Sequence, residues 1–169
     1  MDVAVTPMSL EEPLLQEVEA SVTTVFRDAF GINVQLVSSK KVESSQVYTG
    51  DVTGVVGLVQ DSLEGNLIVS FGETVIFEVL SKVYGRKFTE IDSIVQEGAG
   101  ELANMIFGQL KIRLNGRGHN LKMSLPSVVA GRRHRIQSAV SSSNLVALFG
   151  YDDKRFEVAV ALQKFGKAG

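Results

Sequence analysis

Apolar residues along the chain recur first at helical spacing, then alternate, then return to helical spacing, and finally alternate again. The first helical stretch is SLEEPLLQEVEASVTTVFRDAF, where Leu14, Val18, Val22, Val25 and Phe26 share one face. Ser9 followed three residues later by Glu12 is a capping-box pattern, Pro13 falls near the first turn, and Gly31 is placed to stop the helix. NVQLVSSKKV and SSQVYTGDVTGVVGLVQ are rich in β-branched residues, with a break at Ser44–Ser45. DSLEG reads as a turn and NLIVSFG as a further strand, so two or three antiparallel strands are expected here. ETVIFEVLSKVYG predicts a short helix with Val75, Phe77, Val79, Leu80 and Val83 apolar, ended by Gly85. FTEIDSIVQEGAGELANMIFGQLKIRLNGRG predicts a longer one. Thr89 is its expected N-cap, with acidic residues in the first turn and Lys111, Arg113 and Arg117 toward the end. A strand-like NLKMSLPSVVAG and a basic loop, GRRHRIQS, follow. NLVALFGY and RFEVAVALQ, joined at DDK, then predict a hairpin with Phe156, Val158, Val160 and Leu162 on one face. The whole, residues 1–169, is expected to be one α+β domain, a largely antiparallel β-sheet packed with long α-helices.

Composition narrows the functional classes. The 169 residues are 44% hydrophobic, enough for one ordinary core. A formal net charge of −2 gives no reason to expect nucleic acid or a membrane surface as partner. The absence of cysteine excludes disulfides, thiolate metal sites and a cysteine nucleophile, and two histidines make a poor ligand supply for a metal. MDVAVTPMSLEEPL lacks the basic region and apolar run of a signal peptide, and no apolar stretch reaches the ~20 residues needed to span a bilayer. The expectation is a soluble cytoplasmic protein.

The informative segment is QEGAGELANMIFGQLK, residues 96–111. Each of Gly98, Gly100 and Gly108 costs a helix interior roughly 1 kcal/mol relative to alanine. On a helical wheel Ile91, Val95, Ala99, Leu102, Ile106 and Leu110 gather on a core face, while Glu90, Glu97, Glu101, Asn104 and Gly108 form a narrow polar stripe opposite. Glu101 and Asn104, three residues apart, are surface neighbours able to reach one external group. Charged stripes on amphipathic helices are most often solvated faces, but a solvated face gains nothing from glycines. Gly100 and Gly108, beside and on the stripe, would let another protein approach closely; Gly98, on the flank of the core face, suits packing against a neighbouring helix. Pattern alone leaves the function open.

Glu101-x-x-Asn104, with Glu97 four residues before and Pro126 in SLPSVVAG 22 positions after the asparagine, resembles the signature of the CheC/CheX/FliY family of chemotaxis phosphatases. The order of elements is similar across nearly the whole chain. A single E-x-x-N resembles CheX rather than CheC, which has two; the first helix offers Glu17-Val-Glu-Ala20 without the asparagine. Glu97 departs from the family pattern, which more often has Asp or Ser there. The resemblance implies a CheC/CheX-like fold and dephosphorylation of the aspartyl phosphate of a CheY-like response regulator. It implies Glu101 and Asn104 as catalytic residues, with Glu97, Gly100 and Gly108 in the partner-binding surface. Asn104 would orient the attacking water and Glu101 would pair with a regulator lysine. No cofactor of the chain's own is implied; Mg²⁺ would be supplied in the regulator's active site. A homodimer is also implied, for which FEVAVAL, if at a sheet edge, offers a pairing surface.

The same helix would equally serve a non-catalytic module that binds a response regulator or a flagellar switch component. Other groups carry less. Arg132, Arg133, His134 and Arg135 read as a solvated basic turn, His119 as a capping or surface histidine, Asp152–Asp153 as turn chemistry, and Pro126 as a backbone-shaping residue. Ser141 to Ser143 have no motif-placed base.

Overall fold

The computed structural model describes residues 12–42, 45–60, 63–123, 125–132, 134–137 and 144–164. Ser9, Ser44, the Asp61–Ser62 connection, Arg133 and the serines 141–143 lie outside them. Helix α1, Glu12–Phe30, leads into strands β1 (Gln35–Val42), β2 (Ser45–Val47), β3 (Val52–Gln60) and β4 (Leu63–Phe71). Helices α2 (Glu73–Tyr84) and α3 (Ser93–Asn115) follow, then β5 (Lys122–Met123), β6 (Ser127–Ala130), β7 (Arg135–Gln137), β8 (Asn144–Tyr151) and β9 (Lys154–Lys164).

The main sheet runs β1-β8-β9-β4-β3, with β5 and β6 both paired to the outer side of β3, and every neighbouring pair is antiparallel. The fold is α+β, as expected, but four of its details depart from the expectations. Between α1 and α2 there are four strands rather than two or three. Leu63, Glu64 and Gly65 of DSLEG belong to β4, because the β3–β4 register continues to Gln60↔Leu63 and leaves room only for a two-residue connection. Arg135–Gln137 of the basic segment is a strand, drawn out by pairing with β2. FEVAVAL is not an edge: β9 is sandwiched between β8 and β4, so its backbone groups are paired on both sides. Among the described strands the edges belong to β1 and to β5 and β6.

Helices cover one face of the sheet. Leu14, Val18, Val22, Val25 and Phe26 of α1 and Phe156, Val158, Val160 and Leu162 of β9 enter the same core, as their spacing predicts. Phe26 stacks on Phe156, ring centroids 4.8 Å apart. On the other face the β2–β7 ribbon shields a smaller cluster of Tyr48, Ile68, Val146 and Ala159. Burial, with the Glu157 carboxylate nearby, pushes the Tyr48 hydroxyl well above its ordinary pKa, so the ring stays neutral beneath the ribbon. His134 anchors that ribbon, its ring nitrogens bonded to the Thr53 hydroxyl and the Gly131 carbonyl. The basic segment is therefore part structural, with Arg132 and Arg135 left exposed. Among the described residues no helix is long and apolar enough to cross a membrane.

Across α1 and α3, Glu17 is buried at 8% exposure and accepts from Arg117 Nη2 at 2.6 Å, with Arg113 Nη1 4.0 Å from its other oxygen. A buried carboxylate bonded to a guanidinium loses far more when its charge is removed than a surface pair does. Glu17→Gln should lower the unfolding free energy by about 2 kcal/mol, read as a lower urea midpoint at unchanged slope.

Candidate functional site on helix α3

Helix α3 begins later than its sequence suggests. Asp92, not Thr89, is the N-cap: its backbone is extended and its carboxylate accepts from Val95 N–H at 2.9 Å. Thr89, Glu90 and Ile91 precede the helix, its first turn holds no acidic residue, and the polar stripe consequently starts at Glu97. The far end closes at Gly116. Beyond it His119 N–H caps Leu114 O at 3.2 Å, the capping role expected there, filled by the backbone. The Asn115 side chain accepts from Leu121 N–H at 2.8 Å and folds the chain back.

Small residues seat this helix. A Cβ on Gly54 of β3 would come within 2.7 Å of Ala103 Cβ and 2.8 Å of Ala99 O, so α3 rests on the strand at a distance only glycine permits. Val95, Ala99, Leu102, Ala103, Ile106, Phe107 and Leu110 are buried beneath it. Gly98 does what its place on the wheel predicts. Its missing Cβ would sit 2.6 Å from Leu80 Cδ2, which makes it the contact between α2 and α3. Gly100 departs from expectation: it is buried, and a Cβ there would meet Val128 Cγ2 of β6 at 3.0 Å. Its lack of side chain serves packing inside the chain rather than a partner's approach. Gly108 is half-buried with nothing within 4 Å of its Cβ position, at a groove of about 310 Å³ shared with Thr24, Asp28 and Ile112.

What remains outward is short. Glu97 and Glu101 are exposed, Asn104 is half-buried, and they follow one another along successive turns. Val128 stands against Gly100, and the Leu121 N–H is bonded to the Asn115 side chain. Pro126, two residues before Val128, is half-buried, and Leu125 before it is 87% exposed.

Asn104 carries the most informative detail. Its Oδ1 is buried and has no hydrogen-bond partner among the described residues. An unpartnered buried acceptor costs about 1–3 kcal/mol, and an asparagine retained for structure would be tied to a neighbour. No sequence signal reveals this; it depends on what β6 and α3 fail to offer. The first helix has no counterpart, since Glu17 is turned inward and held by Arg117 and Arg113. Among the described residues no three His, Asp or Glu side chains stand close enough to hold a metal ion.

Residues 52–150 match the family model for the chemotaxis phosphatase CheX. The CheY-P phosphatase CheX of Thermotoga maritima is 31% identical over 119 residues, covering 70% of this chain and 76% of its own. The fold superposes on a CheC-like superfamily protein from Shewanella sp. PV-4 with a TM-score of 0.82, at 25% identity over 90% of this chain and 99% of that one. It also superposes on the CheX–CheY–BeF₃–Mg²⁺ complex from Borrelia burgdorferi with a TM-score of 0.69, at 21% identity over 89% and 97% of the two chains. The chain belongs to the CheX family of chemotaxis phosphatases.

Proposed function

We propose that this protein dephosphorylates the aspartyl phosphate of a CheY-type response regulator, with Asn104 orienting the attacking water. The unpartnered Asn104 Oδ1 carries the reading. It is an acceptor with nothing to bind among the described residues, and the half-buried side chain must turn outward, toward exposed Glu101, for it to reach a water. A carboxamide suits the task because it both donates and accepts and carries no charge to repel a phosphoryl oxygen. In phosphoryl transfer, protein groups contribute mainly position and electrostatics, and an amide aligning a water on the phosphorus does so without taking a proton. Glu101, exposed one turn earlier, is poorly suited to act as a base beside a phosphoryl dianion. It is well placed to pair with a lysine of the regulator's phosphorylation site and so fix the docking register.

The relatives support this reading. The Thermotoga protein is a CheY-P phosphatase, and the Borrelia one is captured with CheY, BeF₃ and Mg²⁺. On this reading Mg²⁺ comes with the regulator, and the protein acts in the cytoplasm. A CheY-type receiver labelled with ³²P should lose its label faster with the protein present than without it. Binding with no change in decay rate would instead identify the non-catalytic module.

A further inference from the structure

Val83 stands at helical spacing from Val79 and Leu80, yet it is 57% exposed, and its neighbour Tyr84 is 55% exposed. Both stand at the end of α2, just before Gly85 turns the chain through a left-handed conformation with φ 66°. The Tyr84 ring meets that of Phe88 edge-on, centroids 5.8 Å apart. Large apolar side chains left exposed at a helix end add little to the domain's own core. Together with Leu80, Gly98 and Met105 they line a cleft of about 470 Å³. Exposed Glu97 and Glu101 line the same cleft and make it acidic. Glu101 is therefore shared by the cleft and the outward pair on α3, and a partner that reaches Glu101 meets the cleft as well.

We propose that this cleft is the specificity-determining docking site for the receiver domain. It would take an apolar side chain that the receiver presents beside its phosphorylated aspartate, with a cationic receiver group meeting Glu97 and Glu101. This rests on reading Glu101 and Asn104 as the phosphatase site. The arrangement has the features of an affinity centre: an aromatic ring, an apolar lining and charged groups. It also divides labour along α3. The side facing α2 selects and holds the partner, and the side facing β6 acts on the phosphoryl group.

The test separates binding from turnover. A CheY-type receiver loaded with beryllofluoride and Mg²⁺ is titrated against wild type, Val83→Asp, Tyr84→Ala and Asn104→Ala, and decay of the ³²P-labelled receiver is followed at saturating protein. Val83 and Tyr84 lie at the surface, and thermal melts confirm that each variant folds. Val83→Asp and Tyr84→Ala should each raise Kd about tenfold, with the saturated decay rate within about twofold of wild type. Asn104→Ala should do the reverse. Unchanged Kd for both cleft variants overturns the proposal while leaving the phosphatase reading intact. So does a fall in saturated rate at unchanged Kd. A shift in the protein's own sedimentation without any change in receiver binding also overturns it, by assigning the cleft to a second copy of the chain. If wild type itself fails to hasten decay, the phosphatase reading fails first.

Discussion

Asn104→Ala should bind the phosphorylated regulator as wild type does, yet slow its dephosphorylation by about 100-fold or more. The size follows from what the amide supplies. A positioned donor or acceptor that acts only as the reaction proceeds contributes on this scale because its reorganisation is complete before the water attacks. The substitution removes a buried acceptor that has no internal partner, so the fold loses no hydrogen bond and stability should hold or rise slightly. Single-turnover decay at saturating protein, with a urea melt beside it, reads both effects. A variant that clears label as fast as wild type would take the water-positioning role away from Asn104.

Glu101→Ala should damage both steps. Removing one member of a charge pair that becomes buried on docking costs about 2 kcal/mol or more, roughly a 30-fold loss of affinity. Because the pair also fixes register, the saturated rate should fall by about tenfold as the water and the phosphorus lose alignment. Glu101 is exposed in the free protein, so its attraction for a lysine is screened by salt before contact. Wild-type affinity should therefore weaken as ionic strength rises, and the dependence should flatten in the variant. Affinity of Glu101→Ala equal to wild type at low salt would remove the lysine pairing from the mechanism.

The elements were readable wherever one periodicity ran unbroken. The α1 stripe from Leu14 to Phe26 and the alternation in β9 report directly which face is buried. What stayed hidden depends on neighbours distant in sequence. β9 has the composition of any apolar strand, and only its pairing with both β8 and β4 makes it interior. Thr89 and Asp92 are both good caps, and the helix starts at Asp92, whose carboxylate takes the Val95 N–H. The pair Glu101 and Asn104 was legible as a motif. The reason for Gly100 was not, since it is Val128 from another strand that needs the space. Val83 shows the converse case, an apolar residue at helical spacing from Val79 and Leu80 that the fold leaves outside.

The position of β9 also bears on how the protein is made. Strand β4, which helps support α3, is edged by β9, and β1 has no partner until β8 exists, with Gln35 opposite Gly150. As the chain leaves the ribosome, α3 emerges with Asn104 already in place, but the sheet beneath it is incomplete until the C-terminal hairpin arrives. Such long-range pairings make for slow closure. The floor under the reactive helix is thus complete only once β8 and β9, both later in the sequence than α3, have paired with β1 and β4.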